Sequence, residues 1–94
     1  VIPRRVVRIE GQGDTIVRDV PGPPGAPTLL LLHGLGATAA MNWGPCFGPL
    51  SERFRVLSID HRGHGRGLRT QRFSLEQCAD DAMAIAAACG AGQM

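Results

Sequence analysis

A chain of 94 residues with 44% hydrophobic and 19% charged side chains fits one small globular domain, or a piece of a larger one, and excludes a disordered chain. The net charge of +2 comes from ten arginines and no lysine, spread along the chain rather than gathered into a stripe, which excludes a nucleic-acid footprint. No apolar run nears the roughly 18 residues of a membrane span, and Val1-Ile2-Pro3-Arg4-Arg5 has no apolar signal region, so the default location is the cytoplasm.

Residues 4–10 and 15–20 are rich in β-branched side chains and are separated by Gly11-Gln12-Gly13, which predicts an antiparallel hairpin over 1–20 at a sheet edge. Residues 21–27, PGPPGAP, form a connector in which neither a helix nor a central strand is possible. Residues 28–32 are apolar without alternation, as expected of a strand buried on both faces, and residues 55–60 are a second such strand. Between them a short helix is predicted over 45–54, with Pro45 in its first turn and Phe47, Leu50 and Phe54 on one face. Strand, helix and strand in that order make a right-handed parallel crossover.

Arg62, Arg66, Arg69 and Arg72 read as a solvated loop. Beyond them Leu75, Cys78, Ala82, Ile85 and Cys89 recur at helical spacing after Ser74, with Gln77 placed for a capping box and Gly90 placed to end the helix. Glu76, Asp80 and Asp81 fall mostly off that stripe. Cys46, Cys78 and Cys89 have no CxxC spacing and no neighbouring His, so they read as reduced core residues, and no metal site is expected. The whole 28–94 segment is thus βαβα, an α/β fold. So short a chain makes a marginal core by itself.

The chemistry concentrates at 29–40, LLLLHGLGATAA, a strand running into a glycine turn suited to an anion. Gly34, Gly36 and Ala39 match G-x-G-x-x-A, and Asp60 at the end of the next strand could hold a ribose hydroxyl, so an NAD(P)-binding oxidoreductase is one reading. Against it, Trp43-Gly44-Pro45 breaks the helix that should face a pyrophosphate, residues 1–27 precede what is usually a first strand, and His33 has no part in holding pyrophosphate.

His33-Gly34-Leu35-Gly36 together with Asp60-His61-Arg62-Gly63-His64-Gly65 resembles the N-terminal part of the α/β-hydrolase family. The resemblance covers residues 5–94. It implies a three-layer α/β/α sheet with strand order 1-2-4-3-5, of which 1–94 would be an incomplete N-terminal fragment with an exposed edge at the third strand, open to pairing with another chain. It further implies an oxyanion hole in which the backbone N–H of Leu35 is one donor, supported by His33, Gly34 and Gly36. Asp60, Arg62, Gly63, His64 and Gly65 are then residues that shape the turn. Met41 and Trp43 either line an acyl pocket or pack the short helix onto the sheet.

The absence of proline at position 36, where epoxide hydrolases and dehalogenases of this fold tend to carry it, points to a serine hydrolase acting on small esters or related acyl compounds, without cofactor. Ser51, Ser58 and Ser74 have no flanking glycine pair, and neither G-x-S-x-G nor the acid and histidine of a triad is present in these residues. This chain is therefore expected to be inactive by itself. A non-catalytic interaction protein whose sheet a partner completes is a further alternative.

Overall fold

A computed structural model describes residues 3–70 and 72–94. Strands β1 (Arg4–Ile9), β2 (Gly13–Val20), β3 (Thr28–Leu31) and β4 (Arg55–Ile59) form a single sheet in the order β1-β2-β4-β3. β1 and β2 make the expected hairpin, with Val6 opposite Ile16, and β2 runs antiparallel to β4. β3 and β4 are parallel, with Leu29 opposite Val56. The outer edge of β3 has no partner strand among the described residues.

Helical pieces cover both faces. Val56 faces Leu31 and Phe47 on one side of β4, with Trp43, Leu50 and Phe54 packed around them. Leu57 and Ile59 face Val7, Val17, Ile85 and Ala86 on the other. The alternation along β4 is what makes the two cores, and Leu57, Ile59 and Ile85 are each at most 1% exposed. Full burial of such a side chain contributes about 1.5–3 kcal/mol.

The β3-to-β4 crossover departs from the helix expected over 45–54. It begins earlier, as α1 (Ala39–Trp43), passes through a 3-10 turn (Gly44–Cys46), and ends as α2 (Phe47–Ser51). Thr38 starts α1, its hydroxyl accepting from Met41 N at 3.3 Å. Pro45 has no N–H to continue the α-helical ladder, so the segment tightens there and restarts after it.

Helix α3 (Leu75–Ala88) starts where expected: Ser74 Oγ accepts from Gln77 N at 3.1 Å. The capping box is only half made, because Gln77 Oε1 accepts from the Ser74 hydroxyl at 3.3 Å rather than from its backbone N–H. At the other end Gly90 takes φ +73°, and the N–H of Ala91 returns to Ala86 O at 2.9 Å. Arg55 fastens this end to the sheet, donating to Cys89 O at 2.8 Å and pairing through two nitrogens with Asp19 at 3.0 and 2.8 Å.

The expected stripe of α3 is buried at Cys78, Ala82, Ile85 and Cys89, and departs from expectation at Leu75 and Asp81. Leu75 is 78% exposed, whereas Asp81 is buried beside Cys78, Ala82, Ile85 and Ala86. The reason is Arg62, which leaves the solvated-loop reading altogether: it is 4% exposed, and its Nε and Nη2 each donate to an Asp81 carboxylate oxygen at 2.7 Å. Arg62 also donates to Gln12 Oε1 at 3.1 Å and to Arg72 O at 3.4 Å. One guanidinium thereby holds the hairpin turn, the loop after β4 and α3 together. Cys78 and Cys89 are buried, while Cys46 is half-buried. No helix among the described residues is long and apolar enough to cross a membrane.

Candidate active site

Because β3 and β4 are adjacent and parallel, the loops that leave their C-terminal ends come together, and these loops carry the two sequence motifs. Asp60, 3% exposed, joins them: Oδ1 accepts from Ala39 N at 2.7 Å, in the first turn of α1, and Oδ2 accepts from Arg66 N at 2.9 Å. Arg18 Nη1 stands 3.9 Å from the same Oδ2. Gly65 is needed here twice over. Its φ is +44°, and a Cβ would lie 2.9 Å from both Asp60 Cγ and Thr38 Cγ2.

Residues 34–37 form a β-turn closed by Ala37 N to Gly34 O at 3.3 Å, and Gly36 takes φ +76° at its third position, the signature of a type II turn. Gly34 has neither a positive φ nor a crowded Cβ direction, so the conformational demand expected of both glycines falls on Gly36. The backbone donors of the turn are nearly all committed. Gly34 N donates to Asn42 Oδ1 at 2.8 Å and Gly36 N to His64 Nε2 at 3.0 Å. Among the described residues, Leu35 N–H has no hydrogen-bond partner.

Three histidines line up behind the turn, with ring centroids 4.5 Å apart for His33 and His61 and 5.1 Å apart for His33 and His64. His33 Nε2 accepts from His61 N at 2.8 Å, which leaves the proton on Nδ1, 2.6 Å from Gly34 O. His64 follows the same logic: Nε2 accepts from Gly36 N and Nδ1 donates to Arg62 O at 3.0 Å. All four nitrogens of these two rings are thus engaged in the network.

His61 differs, its Nδ1 being buried without a partner. Burial first, and then the neighbouring His33 and His64, hold its pKa below the ordinary 6.5. The unfolded chain therefore binds a proton near pH 6.5 that the folded chain refuses, so the stability that neutral His61 contributes is present above that pH and is lost as pH falls toward the lowered value. Urea midpoints should be flat above about pH 7 and drop toward pH 5. The drop should be smaller in His61→Leu.

A cavity of about 590 Å³ opens beside the turn, walled by Leu32, Leu35, His61, Phe73, Leu75 and Cys78 among others. Burial raises the Cys78 thiol pKa, which disfavours the thiolate. Neither Met41 nor Trp43 lines this cavity. Met41 is 70% exposed on α1, and Trp43 packs into the core with its Nε1 donating to Leu32 O at 2.9 Å. Asn42, between them, was not singled out by any sequence pattern. A polar side chain four residues after the N-cap of a helix that follows a glycine turn is the signal that could have found it.

The dinucleotide reading does not survive this geometry. Both Asp60 oxygens are occupied by backbone N–H groups, and α1 starts three residues after the second glycine. Comparison with known proteins agrees. A family model described as the alpha/beta hydrolase fold matches residues 27–93. The proline iminopeptidase PfmaB of Pestalotiopsis fici is 36% identical over 74 residues, which is 78% of this chain and 26% of that protein. The putative carbamate hydrolase RutD of Agrobacterium fabrum is 42% identical over 65 residues, 67% of this chain and 24% of that one. In three dimensions the crystal structure of E-2-(acetamidomethylene)succinate hydrolase superposes with a TM-score of 0.83 at 26% identity, over 99% of this chain and 33% of that chain. The chain spans about a quarter to a third of the length of these relatives.

Proposed function

The chain belongs to the alpha/beta hydrolase fold family, and on that premise we propose that it supplies the oxyanion-loop part of a hydrolase that attacks ester or related acyl carbonyls through a serine nucleophile. The observation that carries this reading is the N–H of Leu35, which has no partner among the described residues and belongs to a residue that lines an apolar cavity. A tetrahedral intermediate places negative charge on the former carbonyl oxygen, and a preorganised backbone N–H at that point stabilises it without reorganisation. The names of the relatives are consistent with such a substrate class, since a carbamate and a peptide both present a carbonyl carbon bonded to nitrogen.

The loop also favours this chemistry over the variant with proline at position 36. A φ of +76° lies outside the range proline can adopt, and the N–H that proline lacks is the one Gly36 gives to His64. The nucleophile is assigned elsewhere in the whole hydrolase. Ser58 is fully buried within β4, Ser51 closes α2 with its hydroxyl on Gly48 O, and Ser74 caps α3. The open edge of β3 is where we place the next strand of that hydrolase. On this reading the 94 residues do not hydrolyse esters by themselves.

Leu35→Pro removes the amide hydrogen and leaves a side chain that was 83% exposed. In the whole hydrolase, assayed on a p-nitrophenyl ester, kcat should fall by about 10²–10³ with KM nearly unchanged. An unchanged kcat would overturn the assignment of Leu35.

A further inference from the structure

The turn that carries Leu35 N–H is three consecutive peptide planes, and each is held by a different side chain. The plane between His33 and Gly34 is held by its N–H, which donates to Asn42 Oδ1 at 2.8 Å. The plane between Gly34 and Leu35 is held by its carbonyl, which accepts from His33 Nδ1 at 2.6 Å and from Ala37 N at 3.3 Å. In a trans peptide the N–H points opposite to the C=O, so fixing Gly34 O fixes the direction of Leu35 N–H. The plane between Leu35 and Gly36 is held by its N–H on His64 Nε2 at 3.0 Å.

We propose that Asn42 and His64 are positioning residues for the Leu35 donor: they anchor the planes on either side of it and keep the turn from rotating that N–H into a local bond. The internal bond of the turn, at 3.3 Å, is too long to hold three planes by itself. A type II turn converts to type I by flipping its central peptide, here the one between Leu35 and Gly36, and that flip would carry Gly36 N–H away from His64. The two anchors come from different elements. Asn42 lies on α1 and His64 in the loop after β4, so the donor stays in register only while the two loops stay together. Asp60 keeps them so.

The inference rests on the oxyanion reading for its purpose, but its test reads the turn directly. In the 15N-labelled 94-residue chain, the Gly34 and Gly36 amides should exchange more slowly than that of Leu35, and a through-hydrogen-bond 15N–15N coupling should link Gly36 N to His64 Nε2. Asn42 is exposed, so Asn42→Ala leaves the core intact. It should speed exchange at Gly34 about two- to tenfold while amides of β4 are unaffected. Asn42→Asp, which keeps an acceptor oxygen, should restore the slower exchange. In the whole hydrolase Asn42→Ala should lower kcat with KM unchanged, and Asn42→Asp should recover it.

Gly34 and Gly36 exchanging as fast as Leu35 in the unaltered chain would overturn the proposal, as would Asn42→Ala with no effect at Gly34. The two readings fail separately. If Leu35→Pro leaves kcat unchanged while the exchange pattern holds, the oxyanion assignment falls. If Leu35→Pro is slow and Asn42→Ala touches neither exchange nor kcat, the anchors fall.

Discussion

Asp81→Ala is expected to lower the unfolding free energy of the chain by about 3–5 kcal/mol, the cost of leaving one member of a buried ion pair without the other. Both partners are 4% exposed, and the carboxylate takes two guanidinium N–H groups at 2.7 Å. Arg62 has no alternative carboxylate within reach in the salt bridges of the described residues, and its remaining bonds, to Gln12 Oε1 and Arg72 O, are to neutral acceptors. Arginine does not lose its proton in proteins, so in Asp81→Ala the guanidinium stays charged and cannot escape by deprotonating. A domain of this size has about 5–15 kcal/mol in hand, so the single substitution takes a large part of it. Urea denaturation of Asp81→Ala, Arg62→Met and the pair Arg62→Met/Asp81→Leu measures this. The double variant should recover most of the loss, because well-packed apolar groups can replace a buried ion pair at little cost. A double variant no more stable than Asp81→Ala would show that the pair is not what holds α3 down.

Asp60→Ala should be of similar size for a different reason. Two backbone N–H groups, Ala39 and Arg66, lose a charged acceptor, at about 1.5–3 kcal/mol each. Arg18, whose Nη1 is buried and otherwise unpartnered, loses its nearest carboxylate as well. A total of about 3–6 kcal/mol follows. The two losses are separable by site: amide exchange should rise at Ala39 and Arg66 before it rises in β4. In Asp60→Asn, one oxygen remains to accept, and one of the two amides should stay protected. Loss of protection spread evenly over the sheet would argue that Asp60 acts only through global stability.

The strands and α3 were legible in the sequence because their signals are local. β-Branched runs separated by Gly11-Gln12-Gly13 marked the hairpin, unbroken apolar runs marked β3 and β4, and Ser74 and Gly90 bracketed α3. The pieces that were not legible depend on partners far along the chain. Arg62 and Asp81 are each charged residues in polar-looking neighbourhoods, and only the fold brings them together across 19 positions. A signal was available: Asp81 lies three residues after Cys78 and four before Ile85, in line with the apolar stripe of α3, where a charge implies a buried partner.

The crossover was misjudged because Trp43-Gly44-Pro45 reads as a boundary, while the chain uses it as a joint between two short helices. The motifs located the turn, yet not its wiring. Glycines at 34 and 36 look equivalent in HGLG, and only the backbone angles show that Gly36 alone needs to be glycine for conformational reasons. Asn42 lies outside both motifs, and only its place four residues after the Thr38 N-cap marks it.

The strand order has a consequence for how the chain is made. β4 is synthesised after β1, β2 and β3, yet it stands between β2 and β3, pairing Ile59 with Val17 on one side and Val56 with Leu29 on the other. Until residue 59 leaves the ribosome, the hairpin and β3 have nothing to join them. At about 5–20 residues per second, the hairpin waits about 2–8 s after its own completion at residue 20. The nascent sheet therefore cannot grow outward strand by strand. These four strands join when β4, made after the other three, enters the middle, and until then Leu29, Leu30 and Leu31 are an unpaired apolar edge within reach of neighbouring nascent chains.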